Sequence, residues 1–538
     1  MNALETDPSE ALRLARSLKN SLVPINKLPV EILSMIPDYF DEDEGKEEEE
    51  DEDMDFDEDI DEDWFDEALL ALTHVCRHWR EVFTSRSSLW TKLDLTNADK
   101  TKAYLQRSGT APLEIDLIES GIKGLDGYLE HAISLVIPHI PRVKTLSIYV
   151  GDVRAGVFER FYCHMPLLES LRIENAFPKE LDALDDKLFD GDLSSLRELT
   201  LIRFTTRLPW NNLANLNFLV LENCIPKYDV TRILDVFESA PLLRVVRFGG
   251  SLPVSSYAPP NRIVALPHLK HFVIITDRPH SILLDHLCIP AGATLFQIFN
   301  IGNEEPLVLR RYVQEGNANL KNLSHITTVA LNFAMAWKVV ELNGPSGCLY
   351  YQCTNLEAPP SHHLDRELLR SLRTNDLSKA QKLSVTRYTS LDSAEAEESP
   401  IFQTLSRMNN LRTLNLTKCD NEPFILVLNP QRNSSKRILC PNLEELVLYA
   451  DSWDKFHINL LCEMAKNRAS SGAMSLSSIT LVGLHGLAPR EDESDKLKEY
   501  VPHVDYRVDD KEHGWYSDLE DIAVMRATSL GWFVVRSD

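Results

Sequence analysis

Leu196-Arg197-Glu198-Leu199-Thr200-Leu201 and, 20 residues later, Leu216-Asn217-Phe218-Leu219-Val220-Leu221 share one pattern: an apolar residue, two others, an apolar residue, one other, an apolar residue. Upstream it occurs as Trp90/Leu93/Leu95, Pro112/Ile115/Leu117, Val143/Leu146/Ile148 and Leu168/Leu171/Ile173. Downstream it returns as Leu243/Val246/Phe248, Leu269/Phe272/Ile274, Ile326/Val329/Leu331, Ala380/Leu383/Val385, Leu411/Leu414/Leu416, Leu443/Leu446/Leu448 and Leu476/Ile479/Leu481. From Val143 the steps are 25, 28, 20, 27 and 26 residues, then 57 and 54, then 31, 32 and 33. The two long steps are close to double the others, which predicts one degenerate copy near residues 295–301 and another near 349–353.

Alternate side chains of an extended strand share a face, so the second and third apolar positions predict a buried face and the residue between them an open one. Open-face candidates are Thr145, Ser147, Arg172, Thr200, Val220 and Asn415. The pattern and its period resemble the leucine-rich repeat signature. That resemblance implies a short strand and a helical return per unit, stacked into a curved solenoid with a parallel concave sheet. Cys224 and Cys419 follow Leu221 and Leu416 by three residues, at the repeat position where Asn or Cys bonds the turn. A helical return is readable at 228–238, with Ile233, Leu234, Val236 and Phe237, and a last strand at 506–508. The polar, proline-containing stretch 354–376 and the polar stretch 389–399 predict loops.

The N-terminal region has a different period. Asp7-Pro8-Ser9-Glu10 reads as a helix start, followed by Leu12, Ala15 and Leu18 on one face, to which packing alone is assigned. Leu28-Pro29-Val30-Glu31-Ile32-Leu33-Ser34-Met35-Ile36 places a proline where a helix accepts one and then apolar residues at helical spacing; Pro37 stops it. Residues 67–83 form a second helical pattern, with Leu69, Leu72, Val75, Cys76 and Trp79 on an apolar stripe and Arg77, His78, Arg80 and Glu81 facing away. The stripe is too wide for a single solvent-bathed helix. Across residues 25–90 this segment resembles the F-box family, through LPVEIL, then LLALTHVCRHWREVF, then Leu89-Trp90. Pro24-Ile25-Asn26 before the motif and Ser88-Leu89-Trp90 after it are similar to fungal F-box proteins. The resemblance implies a helical module that binds a Skp-type adaptor of a cullin-RING ubiquitin ligase, with Leu28, Pro29, Ile32, Ile36, Val75, Cys76 and Trp79 at the family's adaptor-facing positions.

The family passes from its first helix to its second through a few residues, whereas here 18 acidic residues and one lysine occupy 41–63. Loop closure is cheap, about 0.6 kcal/mol for each doubling of length, so the helices are still expected to pair. The chain of 538 residues has a formal net charge of −26, of which −17 lies in this stretch and −9 in the other 515 residues. Composition reads the stretch as a solvated, extended loop, or, as Met54, Phe56 and Ile60 among the acids also suggest, as a lure for a basic partner.

Acidity and the lack of a basic stripe with interleaved aromatics argue against nucleic acid. No apolar run approaches the ~18 residues of a membrane span. The start MNALETDPSE lacks the features of a signal peptide, so a cytoplasmic or nuclear setting is expected. The nine cysteines are scattered without a CxxC pair and read as reduced thiols, Cys348 and Cys353 included. His362-His363 reads as a surface pair, and no phosphate loop, GxSxG or HExxH is present.

The fold class expected is α/β: residues 1–24 a helix and linker, 25–90 an F-box-like helical domain, 91–510 an irregular leucine-rich-repeat solenoid, and 511–538 a polar cap or tail. The expected function is that of a non-enzymatic substrate-recognition subunit of an SCF-type ligase. It needs no cofactor, docks a Skp-type adaptor with its helices and takes an unidentified protein substrate on the repeats. The alternative is a repeat scaffold or acidic chaperone that binds basic proteins without a ligase.

Overall fold

The computed structural model describes residues 8–39, 64–119, 126–150, 158–175, 183–184, 187–206, 212–224, 230–250, 262–276, 281–300, 319–334, 337–354, 365, 368–370, 372, 376–388, 399–432, 438–450, 453, 455–484 and 491–509. The acidic stretch 41–63, the His362-His363 pair, most of the two expected loops and the tail 511–538 lie outside the described residues. The fold is mixed α/β, and the chain divides into two compact units, Met1–Asn215 and Leu216–Asp538.

The first unit opens with α1 (Pro8–Ser21), α2 (Val30–Ser34), α3 (Trp64–Val75) and α4 (Arg77–Ser85). Strands β1 (Lys92–Leu93), β2 (Leu113–Glu119), β3 (Val143–Val150), β4 (Ser170–Asn175) and β5 (Glu198–Ile202) then pair in parallel and in chain order. Helices α5 (Ala98–Ser108) and α6 (Asp126–Val136) return the chain between the early strands. Asn97 caps α5, its side-chain oxygen accepting from the backbone N–H groups of Asp99 and Lys100.

The repeat pattern sets the register. Leu146 stands opposite Leu171 and Leu171 opposite Leu199, while Ile148, Ile173 and Leu201 form a second column, and all six are buried. No single strand has a core of its own; each buries these two side chains against those of its neighbours. Pro112 of the expected triplet is exposed, and Leu113 fills the buried place instead.

In the second unit β6 (Phe218–Glu222), β7 (Val245–Gly249), β8 (His271–Thr276) and β9 (Thr294–Asn300) continue in the same manner, with α7 (Val230–Ser239) between the first two. Chain order then breaks. Strands β10 (Thr328–Asn332), β11 (Trp337–Gly344) and β12 (Gly347–Thr354) form an antiparallel meander in which β12, not β10, pairs with β9. On the far side β10 pairs with β13 (Lys382–Thr386), and β14 (Thr413–Thr417), β15 (Glu445–Ala450), β16 (Ser478–Leu484) and β17 (His503–Asp509) follow in parallel order.

Both degenerate copies expected from the spacing are therefore strands, β9 and β12. An all-parallel, sequential sheet is not what the chain builds, because β11 runs antiparallel. The local cause is the turn at Pro345-Ser346, flanked by Gly344 and Gly347, which face each other across the ladder. A Cβ at Gly344 would collide with the His325 carbonyl, and Gly347 sits at φ 125 against the Ala293 carbonyl. The meander keeps the columns unbroken: Leu295, Leu349, Leu342, Val329 and Leu383 are successive cross-strand partners, all buried.

Several strands end on a residue of left-handed backbone two places after the third apolar position: Arg203 (φ 61), Asn223 (φ 49), Arg387 (φ 58) and Lys418 (φ 52). That turn aims the Cys419 thiol at the Val385 and Thr417 carbonyls, 3.3 and 3.4 Å away. Burial pushes the Cys419 thiol up to about 12, so it stays protonated and unreactive.

The return helices carry one fully buried cation. Arg468, on α9 (Lys455–Ser470), donates to the carbonyls of Leu439 (2.9 Å) and Cys440 (2.7 Å) and to that of Leu428 (3.4 Å) at the C-terminus of α8 (Asn421–Leu428). A guanidinium there meets the negative end of the α8 dipole and satisfies carbonyls that α8 and the following loop leave over. Arg468→Leu strands these acceptors and is expected to cost about 3 kcal/mol in a urea unfolding titration.

Candidate functional site: the apolar surface of the N-terminal helices

The helices of the first unit surround a small core of Leu33, Trp79, Val82 and Phe83, against which Ile36, Leu72, Cys76 and Leu89 pack. The Trp79 and Phe83 rings meet edge-on at 5.6 Å. The single helical pattern read over 67–83 is two helices. Cys76 is extended (φ −161, ψ 175) and starts α4 by accepting from the Arg80 N–H, while the Arg80 guanidinium donates to the Thr73 carbonyl at 3.0 Å. The side chain thus takes the carbonyl that the helix break leaves over.

Three polar ties fix the arrangement. The Trp79 indole N–H donates to Asn26 Oδ1 at 2.6 Å, and Asn26 Nδ2 donates to the Asn20 carbonyl at the end of α1 at 2.8 Å. Arg86 reaches back from the end of α4 to the Ser34 carbonyl and to Asp38 (2.8 Å). At the other side Trp90, fully buried, donates to the Phe83 carbonyl at 2.9 Å and packs edge-on against Tyr104 at 4.9 Å, with the Arg107 guanidinium over its ring at 4.2 Å.

The seven expected interface residues divide by place. Leu28, Ile32 and Val75 are 40%, 48% and 54% exposed, and Pro29 is exposed beside them. Ile36 and Cys76 are half-buried on the edge of the core. Trp79, at 6% exposed, belongs to the core itself and positions the surface rather than presenting it. The sequence signal for that difference is Asn26, which supplies the hydrogen-bond partner of the buried indole. Met35, one of the apolar residues at helical spacing, and Val30 are further exposed apolar residues of the same segment. Large apolar side chains clustered in solvent on one small domain mark an interaction surface.

Among the open-face candidates on the sheets, Arg172 is exposed and Thr145, Ser147, Thr200 and Asn415 are half-exposed. Val220 is buried instead. Its cross-strand partner Arg247 forms an ion pair with Glu222 on the same face, which shields the valine. Cys348 and Cys353 lie five residues apart on β12 and so on opposite faces, which precludes a shared redox or metal site; burial raises the Cys353 thiol to about 12. Among the described residues no group of His, Cys, Asp and Glu is arranged to hold a metal, and no helix is long and apolar enough to cross a membrane.

No family model matches the chain, and a search of curated proteins gives no match.

Asp66 of α3 and Asp94 share Lys100 of α5; the Lys100–Asp94 contact is 2.5 Å, and Tyr104 donates to Asp66 at 3.0 Å. Burial would raise the Asp94 carboxyl, but its hydrogen bonds and attraction to Lys100 outweigh that and hold it below its ordinary value. Burial would likewise depress the Lys100 ammonium, and the two carboxylates instead hold it above its ordinary value. The depressed Asp94 contributes stability above about pH 4 and loses it as pH falls through its folded value; the raised Lys100 contributes below about pH 10 and loses it above. Asp94→Asn should lower the melting temperature by a constant amount between about pH 5 and pH 10, with the deficit shrinking below about pH 4.

Proposed function

We propose that this chain is the substrate-recognition subunit of an SCF-type cullin-RING ubiquitin ligase, with its N-terminal helices as an F-box that docks a Skp-type adaptor. The observation that carries this reading is the exposed apolar set Leu28, Pro29, Ile32 and Val75, held in place by a core of Leu33, Trp79, Val82 and Phe83. It falls on the residues that resemble the F-box signature. The sheet, as an irregular leucine-rich-repeat solenoid, then offers its open face to a substrate protein. The chain itself performs no bond chemistry in this scheme. It holds a target lysine near a charged conjugating enzyme and so raises the effective concentration of the two reactants.

Burying four apolar side chains of this size against a partner contributes about 1.5–3 kcal/mol each at the hydrophobic limit, before the cost of association is subtracted. Leu28→Asp with Ile32→Asp is expected to weaken adaptor binding at least 100-fold by titration calorimetry while leaving the melting temperature within about 2 °C. Trp79→Ala is expected to act differently, removing about 3–5 kcal/mol of core and unfolding the helices. Full-strength binding by the double Asp variant, or no binding by the wild type, would leave the scaffold reading.

A further inference from the structure

From Leu12 onward the first buried residue of the chain is Leu33. That span takes in most of α1, a 14-residue helix whose side chains from Leu12 to Lys19 are all exposed. At 100° per residue Leu14 and Leu18 fall on one face of α1, and Leu22 follows just past its end; the three are 60%, 67% and 71% exposed. A free helix of this length is marginal in water. Two leucines on one uncovered helical face, with a third exposed just past its end, are the opposite of what a solvent-facing helix carries.

This helix is not loosely tethered. The Asn26 amide holds the Asn20 carbonyl with its nitrogen and receives the Trp79 indole with its oxygen. One side chain therefore locks the end of α1 to the residue at the centre of the helical core. The exposed apolar residues run on along the chain from Leu22 through Ile25 to Leu28 and Ile32, and the Asn26 tie sets the end of α1 beside the Trp79 core that carries the surface described above.

We infer that α1 is part of the docking surface for the same adaptor, with Leu14, Leu18 and Leu22 extending the contact beyond the F-box-like helices; this rests on the reading under Proposed function. Charge narrows the chemistry of the partner further. Arg13, Arg16 and Lys19 make α1 basic against the single acid Glu10, although they point largely away from Leu14 and Leu18, so an adaptor that covers the leucines and carries carboxylates around that contact complements the helix.

The test is titration of the full-length chain with the purified adaptor at low and high salt. Leu14→Asp with Leu18→Asp is expected to weaken binding at least tenfold with an unchanged melting curve, because neither side chain is packed in the free protein. Arg13→Glu with Arg16→Glu is expected to weaken it several-fold at low salt and much less at high salt, since added ions screen the rim. If Leu28→Asp abolishes binding while both α1 variants bind as the wild type does, the inference is overturned and the ligase reading stands. It is equally overturned if the α1 variants alter only self-association, or only the response to deleting residues 41–63, because a second copy or the chain's own acid then covers α1. A wild type that does not bind the adaptor overturns both.

Discussion

Within each run of paired strands, the interior strands depend on burying two side chains that no strand can bury alone. The second and third apolar positions of each unit meet their equivalents in the next strand, and the columns they form remain buried from one strand to the next. A one-residue slip would turn both positions to the open face, so the pattern fixes register as well as burial. The cost of departing from it is visible at β11. There Lys338 points to the buried side opposite Cys353, and its ammonium is neutralised by Asp365 at 3.0 Å, outside hydrogen-bond alignment but almost wholly desolvated. A buried charge without that partner would be strongly destabilising.

The N-terminal helices invert the logic. The cluster around Trp79 is small, four buried side chains with a half-buried rim, and much of the helices' apolar surface stays outside it. Such a domain keeps its shape through the polar ties around Trp79, Arg80 and Arg86 and through the junction at Trp90. The division of labour is sharp within the short motif: Leu33 and Trp79 hold the module together, while Leu28, Ile32 and Val75 stand in water.

The columns were legible in the sequence because period and spacing report burial directly, and even the doubled steps pointed to β9 and β12. The reversal of strand order was not. Gly344-Pro345-Ser346-Gly347 between two β-branched and aromatic runs is a hairpin signal, yet a repeat reading assigns every apolar run to the next parallel strand. The break at Cys76 was hidden for a related reason, since the apolar stripe runs through it and only the Arg80 side chain, donating to Thr73, makes the break affordable. Trp79 could not be separated from its neighbours by type, because an anchor and a core residue look alike until a partner such as Asn26 is located.

The most direct measurement is hydrogen–deuterium exchange of the full chain with and without the Skp-type adaptor. The account predicts slowed exchange at the backbone of residues 12–36 and 70–79 on binding, with the β3 and β4 amides unchanged. Protection confined to the strands, or no change in the N-terminal helices, would contradict it.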